Sequence, residues 1–216
     1  MSQKIGGIIV ILILFIGWNI VTSNARDDVP SELLLDGETK MVNKVIKSEE
    51  EWKKMLTQEK KALSETATFA AGCFWGIEHK FGQLKGIRST AVGYTGGEVK
   101  NPTYNQVCSN ETGHAEAVHI IYDPEEIKYE ELVAFFFKIH DPTQLNRQGF
   151  DVGSQYRSAI FYHDEMQKKT ALAVIEDLNT SGRFKKLIAT QVVSYSEFYK
   201  AEDYHQKYYE KMRKKY

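Results

Sequence analysis

Two glycines bracket the stretch that most constrains this chain: at Gly72-Cys73-Phe74-Trp75-Gly76 one backbone period gives way to another. Residues 66–71 have strand character. Beyond Cys73 the apolar positions Ile77, Phe81 and Leu84 fall at helical spacing, with Glu78, His79 and Lys80 between them. Cys73 therefore sits at a strand-to-helix junction, in the first turn of the helix. Unpaired backbone N–H groups and the positive end of the helix dipole converge at such a position. They lower a thiol pKa and favour the nucleophilic thiolate. The alternative is a buried cysteine packed beside two core aromatics.

The elements that follow alternate. Strands are expected over 86–93, 115–122 and 158–163, and helices over 129–140 and 165–181. Tyr94-Thr95-Gly96-Gly97 reads as a turn or loop, and a loop around Pro102 carries Tyr104, Val107 and Cys108. Residues 143–154 read as a long loop. A last strand is expected near 189–193, and a last, aromatic-rich helix over 196–209. The core order β-α-β-β-α-β predicts an α+β fold, a ferredoxin-like two-layer sandwich with additional C-terminal helices and coil.

The amino terminus reads differently. Lys4 precedes an apolar run from 8 to 15, extending less strictly over 5–21, and Ser23-Asn24-Ala25 places small residues at the −3 and −1 positions of a cleavage site. Residues 1–25 are expected to be either a secretory signal peptide or an N-terminal membrane anchor. Either reading puts the remainder outside the cytoplasm, periplasmic or otherwise extracytoplasmic, with the membrane involved only through this segment. Residues 26–65 read as a linker with a short amphipathic helix over 48–64, and 66–216 as the folded domain. The formal net charge of −1 offers no basic excess to neutralise phosphates, which argues against a nucleic-acid binder.

A thiolate needs partners. Glu116 follows Gly113-His114-Ala115 at the start of an apolar strand. Burial there would raise its pKa and make it a proton donor near neutrality, whereas a strand-end glutamate paired with a cation is the plainer reading. His114 is either a base or a structural histidine. Asp151, with Tyr156 and Arg157 close behind it, is a site residue or a salt-bridge partner. Tyr104 and Tyr156 can donate phenolic hydrogen bonds. No Cys, His and carboxylate group has metal-ligand spacing, so no metal is expected.

Motif after motif, the chain resembles the peptide methionine sulfoxide reductase A family. The resemblance rests on Gly72-Cys73-Phe74-Trp75-Gly76, Gly93-Tyr94-Thr95-Gly96-Gly97, Gly113-His114-Ala115-Glu116, His140-Asp141-Pro142-Thr143, Asn146-Arg147-Gln148-Gly149, Gln155-Tyr156-Arg157-Ser158 and Ala201-Glu202-Asp203-Tyr204-His205-Gln206. It covers about residues 66–210 and implies reduction of the S epimer of methionine sulfoxide, free or in proteins. By this resemblance Cys73 is the nucleophile, and Phe74 and Trp75 form the wall for the substrate methyl group. Glu116 is the acid at the sulfoxide oxygen, with Tyr104 and Tyr156 hydrogen-bonding that oxygen, and Asp151 organises polar contacts.

Cys73 would become a sulfenic acid. The resemblance implies no cofactor beyond an external thiol reductant: thioredoxin, glutaredoxin or a small thiol. Many relatives carry resolving cysteines near the C-terminus, whereas here Lys211-Met212-Arg213-Lys214-Lys215-Tyr216 has none. Cys108 is the possible internal resolving thiol, with a buried structural role as the preferred reading. A monomer is expected. The words at 48–57 resemble the opening helix of B-type methionine sulfoxide reductases, and nothing after them continues that pattern.

Overall fold

A computed structural model of the chain describes residues 51, 53–55 and 64–214. The apolar leader, most of the linker and most of the helix expected over 48–64 lie outside the described residues. Glu51 and residues 53–55 are helical and exposed. Among the described residues no helix is long and apolar enough to cross a membrane. The described residues from 64 to 214 belong to one compact unit.

Alternation in β1 (Glu65–Ala71) sets the two faces of the sheet. Ala67, Phe69 and Ala71 point to one side, which is the side the crossover helices cover. Phe69 stacks on Phe81 of α1 (Phe74–Phe81) at 5.2 Å and on Phe136 of α3 (Tyr129–Ile139), also at 5.2 Å. One strand residue thus fixes both helices to the same face.

The strands β2 (Ile87–Thr95), β3 (Ala115–Tyr122) and β6 (Ser158–Tyr162) complete an antiparallel core in the order β6-β1-β3-β2. β7 (Gln191–Ser194) pairs parallel with β6 after α4 (Glu165–Thr180), and β8 (Phe198–Lys200) pairs antiparallel with β2. The other face is built from small residues, Ala70, Ala115, Ala117 and Ala159, with Phe161, and Tyr195 and Phe198 pack against it.

Four expected stretches differ in the structure. The helix expected over 196–209 is instead β8, a turn, and the short α5 (Tyr208–Arg213). The free edge of β2 decides this, because unpaired strand groups take the nearest extended segment. Gly93 makes room for it: a Cβ there would lie 2.3 Å from the Tyr199 carbonyl and 2.5 Å from the Phe198 ring. The turn read at Tyr94-Thr95 belongs to β2. The Pro102 loop contains the short helix α2 (Tyr104–Cys108), started by a capping box in which Thr103 and Gln106 exchange hydrogen bonds. The 143–154 loop holds a small hairpin of β4 (Arg147–Gln148) and β5 (Asp151–Val152), followed by a 3₁₀ turn over Ser154–Tyr156.

Candidate active site

Cys73 is the N-cap residue of α1 and is partly open to solvent. The turn into it requires glycine. Gly72 has a φ of +84°, and a Cβ on it would come within 2.6 Å of the Gln148 side chain. Across from this turn Glu116, the second residue of β3 and the register partner of Tyr94, is only 2% exposed. Its carboxylate Oε2 accepts the Phe74 N–H at 3.0 Å. One of the orphan donors of the helix start is thus satisfied by an acid from another strand.

The electrostatics correct one expectation. The helix start does not leave Cys73 with a depressed pKa: its thiol is pushed up to about 11. Burial is the largest cause. The N–H groups of Trp75 and Gly76 oppose it, while the negative charges of Glu116 and Asp151 add to it. Glu116 is itself raised to about 7, chiefly by burial and further by Asp151, against the Phe74 N–H. The site therefore holds a thiol and a carboxyl that is partly protonated at neutrality, with two coupled protons between them.

Tyr104 and Tyr156 both face this pair. Burial raises the Tyr104 phenol far above its ordinary value, helped by its hydrogen bond to the Cys108 side chain and by the charges on Cys108 and Glu116. The Tyr156 phenol is pushed up to about 12 by burial and then by Glu116, Cys108, Asp151 and Cys73. Those causes put Cys73, Tyr104, Tyr156 and Cys108 each within electrostatic reach of Glu116. Asp151 lies on the exposed β5 strand and still acts on Cys73 and Glu116.

Cys108 is not the buried structural thiol expected of it. It is partly exposed at the end of α2, hydrogen-bonded to Tyr104 and close enough to Glu116 to feel its charge. Nor do Phe74 and Trp75 form an equal wall. Phe74 is 1% exposed and packs beneath, while Trp75 keeps open surface.

A C-terminal group with no role assigned from the sequence holds Trp75. Its indole N–H donates to His205 Nδ1 at 3.0 Å, and its ring stacks on Tyr208 at 3.9 Å. His205 is 1% exposed, and burial lowers its pKa, so it stays neutral with the proton on Nε2. Beside it Glu202 accepts the Tyr94 hydroxyl at 2.8 Å and the Tyr104 N–H at 3.0 Å. Glu78, buried on α1, accepts the Lys207 N–H at 2.7 Å and so fixes the same segment to the catalytic helix. The sequence signals for this support were the aromatic-rich composition of 196–209 and the Ala201-Glu202-Asp203-Tyr204-His205-Gln206 motif, neither of which carried a role.

Replacing His205 with phenylalanine removes the acceptor for Trp75. The loss of one such hydrogen bond, about 1 kcal/mol, corresponds to roughly a fivefold fall in kcat/KM. His205→Gln, which still offers an acceptor, should recover most of it. Steady-state kinetics on the two variants, with tryptophan fluorescence as the reporter of ring position, check this.

The family described as peptide methionine sulfoxide reductase matches residues 65–216. The chain belongs to this family. Its curated relatives are peptide methionine sulfoxide reductases, and the chain is an enzyme of that class. A relative from Methanosarcina mazei, peptide methionine sulfoxide reductase MsrA, is 62% identical over 147 residues, 68% of this chain and 70% of that protein. The structure is similar to Mxr1 of Saccharomyces cerevisiae in reduced form, with a TM-score of 0.67 at 37% identity over 72% of this chain and 89% of that one. Mxr1 in complex with Trx2 matches at a TM-score of 0.50 and 30% identity, covering 68% of this chain and 86% of that one. These likenesses agree with the mixed sheet and helices described above.

Proposed function

We propose that this reductase converts the S epimer of methionine sulfoxide, in proteins and free, to methionine by attack of Cys73 on the sulfoxide sulfur. The observation that carries the reading is the contact between Glu116 and the Phe74 N–H. It sets a carboxyl that titrates near neutrality beside the thiol. A sulfoxide sulfur is a poor electrophile until its oxygen is protonated or strongly hydrogen-bonded. Glu116 supplies the proton, and the Tyr104 and Tyr156 hydroxyls steady the oxygen as charge develops on it. The open face of Trp75 receives the methyl group, with Phe74 supporting it from below.

The bonds and protons balance. A sulfur–sulfur bond forms as the thiol attacks. That bond and the substrate's sulfur–oxygen bond break as the oxygen passes to the Cys73 sulfur with the proton from Glu116, and Glu116 recovers the proton that the thiol gave up. Cys73–SH and methionine sulfoxide become Cys73–SOH and methionine, so the cysteine sulfur is oxidised and the substrate sulfur reduced. An external dithiol of thioredoxin-like kind, or two small thiols in turn, then reduces the sulfenic acid: the first sulfur forms a mixed disulfide and releases water, and the second displaces Cys73 as the reductant becomes a disulfide. The complex of yeast Mxr1 with Trx2 supports that class of reductant. The partly exposed position of Cys108 favours a second reading in which it captures the sulfenic acid first.

We further assign the interleaved order β6-β1-β3-β2 to the ferredoxin-like arrangement. From the apolar leader we infer that repair takes place outside the cytoplasm.

Separate S and R epimers of a methionine sulfoxide peptide, incubated with the full chain and excess dithiothreitol, test the chemistry. Methionine is expected from the S epimer alone. Product from the R epimer at a comparable rate, or from neither, would overturn the proposal.

A further inference from the structure

A basic pocket lies behind the hairpin of the catalytic loop. The 141–149 loop and the 183–186 segment flank an open pocket of about 840 Å³ whose lining includes Arg147, Arg183, Lys185 and Lys186. The Ala189 N–H, donating to the Pro142 carbonyl at 2.8 Å, ties the two walls together. Among the described residues none of these four cations is in an ion pair. Arg147 donates only to the Gly149 carbonyl, at 2.6 Å, and Arg183 lies over the ring of Phe184. The one acid in the lining, Asp141, has its carboxylate occupied by the Thr143 N–H and hydroxyl and by the Gln144 amide. Four cations line this one pocket in a chain whose net charge is −1, a local basic surface that attracts anionic groups.

We propose that this pocket receives acidic side chains of the polypeptide that carries the oxidised methionine. This rests on the sulfoxide reading above and gives it a substrate preference. Continuity with the catalytic loop points to a chain rather than a free anion. Gln148 hydrogen-bonds both backbone groups of Asp141, at 3.0 and 3.1 Å, and packs against Gly72, the residue before the nucleophile. One residue therefore separates the pocket wall from the catalytic turn. Beside it Leu145 and Phe150 are 68% and 103% exposed, apolar surface that an extended peptide covers and an inorganic ion does not.

The test uses the full chain and peptides with one methionine sulfoxide, carrying a pair of glutamates or a pair of glutamines at successive offsets on either side. The acidic peptides should show a kcat/KM about tenfold higher at one or two offsets at about 50 mM salt, shrinking below about twofold near 0.5 M. The ratio of acidic to neutral peptide should fall to near unity in Arg183→Glu/Lys186→Glu. Equal ratios at every offset, or a ratio the double variant leaves unchanged, would overturn the proposal.

Fluorescence anisotropy of an acidic peptide with norleucine in place of the sulfoxide reads the pocket without catalysis. Binding that the double variant loses supports the pocket even if no sulfoxide is turned over, an outcome that would sink only the reductase reading. Inorganic phosphate or phosphatidylglycerol vesicles displacing that peptide at lower concentration than an unlabelled acidic peptide would assign the pocket to a different anion and overturn the proposal.

Discussion

Cys73→Ser should release no methionine from the S epimer, either with dithiothreitol over many turnovers or without reductant in a single one. The expected loss exceeds about a thousandfold, the scale on which removing a catalytic nucleophile acts. The reason is specific to sulfur. A serine hydroxyl in the same N-cap position keeps the backbone geometry and the Glu116 contact, but it has no sulfur to take up the oxygen. A binder of oxidised methionine would lose nothing by this change, so retained binding with lost turnover marks the thiol as the chemical group. Cys108→Ser separates the two regeneration routes. Direct attack by an external thiol predicts full single-turnover product and full thioredoxin-driven cycling in that variant. Full single-turnover product with lost cycling would make Cys108 the resolving thiol. Methionine formed by Cys73→Ser would sink the mechanism altogether.

The parts of the fold legible in the sequence are those where local periodicity and tertiary burial ask for the same thing. β1, β3 and α3 are of this kind: their apolar residues follow the spacing of the element they form, and most of them end in the core. The 196–209 stretch fails because its aromatics suit helix and strand alike, and the exposed edge of β2, a hundred residues earlier, settles the matter. The site divides the same way. The Cys73 position follows from the glycines and the helix that starts there. Its titration does not follow, since Glu116, 42 residues from Phe74, and the burial around the thiol outweigh the local helix N–H groups. The hold on Trp75 was out of reach for the same reason, with His205 lying 130 residues away. Motif residues can be found locally, whereas what tunes them comes from the folded chain.

That tuning predicts how the rate depends on pH. Glu116 ionises near 7 and the Cys73 thiol near 11, so below neutrality the pair holds both protons. If the reaction begins from that state, Glu116 gives its proton to the sulfoxide oxygen and recovers one from the thiol as the new bond forms. The carboxyl is active in its protonated form, and raising its pKa extends activity upward in pH. With the S epimer, kcat/KM should be level on the acid side and fall as pH rises through about 7, approaching tenfold per unit. Asp151→Asn removes one cause of the raised value, so the midpoint should move to lower pH. Glu116→Gln keeps a hydrogen-bond donor in place but has no proton to give. Its kcat/KM should drop by about 10²- to 10⁴-fold and lose the fall near neutrality. A wild-type rate that climbs through pH 7 and beyond would show instead that the reacting state is the thiolate. Glu116 would then act as a hydrogen-bonding group, and Cys73 would owe its reactivity to deprotonation before substrate binds.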